Sequence, residues 1–134
     1  MILFLSFSGN SQSAQVSIDM AGSGSEIKKK HFSVIYGTAS YYSNKFQNRR
    51  TANGEIFDQK KMTAACNVLP LGSWIQVTNL KNKRSIIVKV NDRLHDKMKR
   101  AIDLTKEAAR KLGFLSSGLA KVKVEYLGKK KPSQ

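Results

Sequence analysis

Residues 73–92 read SWIQVTNLKNKRSIIVKVND, and their alternation constrains the fold more than any other stretch of the chain. Successive side chains of a strand point to opposite sides. Trp74, Gln76 and Thr78 therefore share one face, while Ile75, Val77 and Asn79 share the other. KNKR supplies a turn, and SIIVKVND is a second strand that ends on a polar elbow. Together they read as a β-hairpin.

The remaining periodic segments extend this pattern. FSVIYGTASYYS (32–43) is β-branched and aromatic, and suits one or two short strands around a break at Gly37. GLAKVKVEYLG (118–128) alternates again, with Val122, Val124 and Tyr126 on one face and Lys121, Lys123 and Glu125 on the other. One segment reads as a helix, DLTKEAARKLGF (103–114). Thr105 or Asp103 caps its start, Glu107 lies where the helix dipole favours an anion, and Gly113 closes it. Leu104, Ala108, Ala109 and Leu112 form its core-facing stripe. Short strands at turn-marked intervals plus one small helix suggest a compact closed β-barrel. Propensity alone does not choose the barrel's topology.

At 134 residues, 40% hydrophobic and 25% charged, the chain suits one domain with an ordinary core. A single cysteine rules out an internal disulfide and a multi-cysteine zinc site, and two distant histidines, His31 and His95, make a metal centre or other cofactor an unexpected addition. The net charge of +15 attracts polyanions. Part of it lies in Lys28–Lys30 and Lys129–Lys131, which flank the candidate domain. Nucleic-acid binding is not expected, because the basic residues are neither interleaved with exposed aromatics nor set on a recognition helix.

The opening MILFLSFSGNSQSAQ has a short apolar run, Ile2–Phe7, without a basic n-region. It resembles the tail of a signal peptide whose beginning is lost, and it is too short to span a membrane. Export to the periplasm or cell envelope is the expectation. Residues 1–30 are taken as this apolar start and a flexible basic leader, 31–128 as the barrel and 129–134 as a basic tail, in a chain expected to be monomeric.

Five fragments carry polar residues within otherwise β-like sequence: GTASYYSNKF, RRTANGEIFD, TAACNVLPLGS, VTNLKNKRSIIVKVNDR and RAIDLT. In order and spacing they resemble the rare lipoprotein A (RlpA) family of bacterial cell-envelope proteins over about residues 34–128. The resemblance implies a mainly β fold, a six-stranded double-psi β-barrel with one short helix near the C-terminus, shared with expansins and barwin-type proteins. It also implies lytic transglycosylase activity on peptidoglycan glycan strands. The family's site combines the Glu of TANGE, the His ending TAAH and the Asp of NDR. Glu55 and Asp92 match. Cys66 stands where the family has His, and LHDKMK follows NDR where the family begins Gly-Pro.

A lytic transglycosylase cuts the MurNAc–GlcNAc linkage while the sugar's own 6-hydroxyl closes an anhydro ring, so no second carboxylate is needed as nucleophile or water-activating base. One carboxyl group then serves first as acid and afterwards as base. Asp92 is assigned that role. Glu55 would orient the sugar, stabilise charge at the anomeric carbon or tune Asp92, and Arg93 matters through the direction it takes. Asp103 is read as a cap and a salt-bridge partner of Arg100 or Arg93. Tyr42 and Asn91 are candidate substrate contacts. Tyr41, Phe57 and Trp74 are candidates for lining a sugar groove, with core packing preferred for Phe57 and Trp74. Cys66 reads either as a small buried replacement for His or as a vacancy that His95 fills from another direction. Two alternatives to the enzyme stay open: a non-catalytic barrel whose basic surface grips wall polymers, and an expansin-like loosener.

Overall fold

The computed structural model describes residues 34–133. The leader, the signal-like opening and His31 lie outside the described residues. Six strands close into a barrel: β1 (Val34–Tyr41), β2 (Thr63–Ala65), β3 (Trp74–Asn79), β4 (Ser85–Asp92), β5 (Ile102–Leu104) and β6 (Ala120–Gly128). Their order around the barrel is β1-β5-β2-β4-β3-β6. The β3–β4 hairpin forms as its alternation requires, with Trp74 opposite Lys89 and Thr78 opposite Ser85. The β3 face carrying Ile75, Val77 and Asn79 is the buried one. β6 pairs antiparallel with the other edge of β3 and buries Val122 and Val124.

β1 is one strand, not two. It runs unbroken through Gly37, whose role is close approach: a Cβ there would stand 2.6 Å from the Cβ of Ala101. β2 and β5 are three residues each and make the barrel's crossings. β2 runs parallel to β4 and antiparallel to β5, and β5 runs parallel to β1. Asp103 and Leu104 belong to β5, so the helix α1 (Lys106–Leu112) starts later than its apolar stripe suggests. Thr105 is its cap, accepting from the Ala108 N–H at 3.3 Å while donating to the Lys61 carbonyl at 2.6 Å. Gly113 closes it in the left-handed region at φ 84°. Asp103 pairs with Arg100 through two hydrogen bonds of 2.8 and 3.1 Å.

The main core is aliphatic, with Ile75, Val77, Val88, Val90, Ile102, Leu104 and Leu112 fully enclosed. A second, smaller cluster joins Tyr42, Phe57, Ala65 and Leu94, with Phe46 packed against it. Phe57 is a core residue, but Trp74 is half-buried and lies on the outward face of β3. Period-two geometry decided its side, and the size of the indole did not. Among the described residues, no helix is long and apolar enough to cross a membrane.

Candidate functional site

The site forms where loop 51–55 docks on the end of β4. The loop is a tight turn: Thr51 N–H donates to the Glu55 carbonyl at 2.8 Å, and Gly54 takes φ 91°. The Asn53 side-chain oxygen accepts from the Thr51 hydroxyl at 2.8 Å and the Glu55 N–H at 3.1 Å, which fixes the turn from within. Two of its backbone N–H groups then face β4. Ala52 donates to Asp92 Oδ1 at 2.8 Å and Asn53 to the Asn91 carbonyl at 3.2 Å.

Asp92 ends β4 half-buried, and its two oxygens differ. Oδ1 accepts from the backbone N–H groups of Ala52 and Arg93 at 2.8 and 2.9 Å, while Oδ2 accepts the Tyr42 hydroxyl at 2.6 Å. Tyr42 is held for this by the second cluster. Its ring lies 4.2 Å from Phe57 and meets Phe46 edge-on at 5.7 Å. Burial, and then the bond to Asp92, raise the phenol far above its ordinary range, so Tyr42 stays a donor at every working pH.

Glu55 is held differently. Oε1 accepts from Asn91 Nδ2 at 2.9 Å and Oε2 from Lys89 Nζ at 3.1 Å. The Asn91 bond, opposed by partial burial and reinforced by Lys89 and Asn53, keeps this carboxyl below its ordinary range, so Glu55 is ionised. Asn91 itself is 2% exposed, and its side-chain oxygen is buried with no hydrogen-bond partner among the described residues. Leaving a buried acceptor unpaired costs about 1–3 kcal/mol, so its amide is committed to Glu55 at the expense of its carbonyl.

The TAAC segment reaches the site through its backbone. Cys66 N–H donates to the Asp92 carbonyl at 3.1 Å, but its side chain is 1% exposed and packs in the main core. Arg93 turns away from its neighbour's carboxylate. Its guanidinium donates to the carbonyls of Cys66 and Leu69, and it makes no ion pair with Asp92 among the described residues. His95 is not drawn in either. Its imidazole is largely exposed, and Nδ1 accepts the Lys97 N–H at 3.2 Å within its own loop. Among the described residues, no three His, Cys, Asp or Glu side chains gather as a metal site.

The structure thus gathers Asp92, Glu55, Asn91 and Tyr42, brings in Cys66 and Arg93 through main-chain contacts, and leaves His95 aside. Lys89 is the site residue that sequence reasoning missed. Its signal was present: it is a lone cation in the apolar run of β4, two residues before Asn91 and hence on the same face. Tyr42→Phe is expected to reduce whatever reaction Asp92 performs by about tenfold, since a hydrogen bond to a charged group is worth about 1.5–3 kcal/mol. The ring packing survives the change. Steady-state rates together with a thermal melt check this prediction, and an unchanged rate would show that the hydroxyl does not position the carboxylate.

Comparison with known proteins gives the family and the fold. A family model described as "Lytic transglycolase" matches residues 34–124. The chain is 54% identical over 91 residues to the endolytic peptidoglycan transglycosylase RlpA of Pseudomonas aeruginosa, covering 68% of this chain and 27% of that protein. It is 44% identical over 105 residues to the protein of the same name from Haemophilus influenzae, covering 78% and 36%. It therefore spans roughly a quarter to a third of the length of these relatives. Among solved structures, Streptomyces papain inhibitor superposes with TM-score 0.58 at 24% identity, covering 70% of this chain and 94% of the inhibitor. The expansin of Clavibacter michiganensis also gives 0.58, at 22% identity, covering 75% and 52%. These two likenesses speak to the fold alone: the barrel is the six-stranded double-psi β-barrel expected from the sequence.

Proposed function

We propose a reaction for a chain that belongs to the lytic transglycolase family: cleavage of the MurNAc–GlcNAc linkage of peptidoglycan glycan strands, leaving 1,6-anhydroMurNAc ends. The observation that carries this reading is the contrast between two carboxyl groups held by one docked loop. Glu55 is fixed ionised by Asn91 and Lys89. We assign the proton transfers to Asp92 on its position at the strand end, where Oδ1 is occupied by main-chain donors and Oδ2 faces Tyr42.

Asp92 gives its proton to the bridging oxygen as the bond from that oxygen to C1 breaks. The 6-hydroxyl of the same MurNAc then bonds to C1, and its proton passes to the Asp92 carboxylate, which restores the acid. A carboxylate offers about four lone-pair sites, and the side chains around Glu55 take two of them. The others are available to sugar hydroxyl and amide donors, and the ionised group stabilises the positive charge growing at C1. Asn91 and Tyr42 position the two carboxyl groups, and Arg93 ties the strand end to loop 66–69. Neither His95 nor the thiol of Cys66 takes part. A protein with this substrate works in the cell envelope.

The relatives' name supports the reading. A second reading, a barrel that holds wall polymer without cutting it, draws on Cys66, whose side chain packs in the core at the position where the family has His. Incubating the protein with sacculi and examining the soluble products by mass spectrometry separates the two. The enzyme releases fragments ending in 1,6-anhydroMurNAc. Protein that sediments with sacculi and releases none is the binder.

A further inference from the structure

Trp74 is the only tryptophan of the chain, and the catalytic assignment leaves it unused. It stands directly opposite Lys89 in the β3–β4 pair, so the two side chains rise from the same face of the sheet, about 4.5–5.5 Å apart at Cβ. Lys89 in turn bonds Glu55 at 3.1 Å. One surface therefore runs from Glu55 over Lys89 to the indole. On the other flank of Trp74 the β6 partner is Gly128, which carries no side chain, and even an added Cβ there would meet nothing within 4 Å. Trp74 is half-buried, and among the described residues the cation over its ring is the exposed Lys131, 5.7 Å from the centroid.

We infer that Trp74 is a sugar-stacking platform, holding one β-1,4-linked N-acetylated pyranose ring of the glycan strand while a neighbouring ring sits at Glu55 and Asp92. The electron-rich face of an indole suits the axial C–H bonds of such a ring, and the sugar's polar rim stays free for Lys89 and solvent. Lys131 is displaced as the ring arrives, a small loss for an exposed cation over an aromatic face. The inference rests on the proposed substrate but not on turnover.

Because Trp74 is the sole tryptophan, intrinsic fluorescence reports this site alone. Peptide-free glycan strands, prepared by amidase treatment of peptidoglycan, are titrated into the Asp92→Asn protein, where cleavage does not intrude. The expected result is a saturable change in emission, with the dissociation constant measured by calorimetry rising on the order of tenfold in a second Trp74→Ala substitution and less in Trp74→Phe. The emission arm needs no change at Trp74, so a poorly folding variant does not spoil the test. Binding seen by calorimetry with emission unmoved overturns the platform, as does an unchanged dissociation constant in Trp74→Ala. If emission responds while wild-type protein releases no anhydro ends, the catalytic reading fails and the platform stands.

Discussion

Asp92→Asn is expected to reduce the release of 1,6-anhydroMurNAc ends on the order of 1000-fold, the middle of the range for removing a general acid. The fold should tolerate the change. The amide oxygen replaces Oδ1 and still accepts from the N–H groups of Ala52 and Arg93. The amide nitrogen takes the place of Oδ2, and the Tyr42 hydroxyl, a donor to the carboxylate in the wild type, turns to accept from it. The melting temperature should fall by no more than roughly 8 °C, equivalent to about 1 kcal/mol in a domain of this size. Product release quantified by mass spectrometry alongside a thermal melt checks both halves. A variant that keeps a tenth of wild-type activity would show that Asp92 is not the proton donor, and the role would then have to lie outside this loop and strand.

Where sequence was informative, the reason was local. The hairpin, β6 and the body of α1 all follow from periodicities completed within a dozen residues, and the Thr105 and Gly113 caps follow from side-chain and backbone preferences at single positions. β2 and β5 escape because three residues are too few to show a period, and because their parallel partners lie far along the chain. Leu104 shows the same limit from the other side. Its spacing fits the helix stripe, yet tertiary pairing with β1 and β2 takes it into a strand. The motif residues Glu55 and Asp92 could be found from order and spacing, but not what holds them. That Lys89 and Asn91 share a face was readable, whereas the docking of residue 55 onto that face depends on a contact 34 residues away in sequence. Tyr42 reaches Asp92 across 50 residues, and nothing in either segment announces the other.

The second large effect belongs to Glu55. Glu55→Gln keeps the size of the side chain and removes its charge, and it is expected to lower kcat/KM about 100-fold, the lower bound for losing one preorganised electrostatic partner of a transition state. Part of the loss comes from the neighbours, because Lys89 is left without its counter-ion and Asn91 Nδ2 faces an amide that offers a single acceptor. The sign of the pH dependence distinguishes charge from shape. In the wild type the Asn91 and Lys89 bonds hold the folded carboxyl below its unfolded range. Its contribution to folding and to rate is therefore complete above the ordinary glutamate range near pH ~4.3 and is lost only as pH falls through the depressed value. Lys89→Met removes one of the two bonds and should move this acid limb of kcat/KM to higher pH, while Lys89→Arg should restore it. In Glu55→Gln the limb due to this group disappears altogether. Glu55 and Lys89 keep side-chain exposures of 41% and 33%, so salt weakens their pairing and should shift the wild-type limb in the same direction as Lys89→Met, by a smaller amount. A pH–rate profile that is the same in wild type and Lys89→Met would mean that the ion pair holds the loop in place without setting the charge of Glu55.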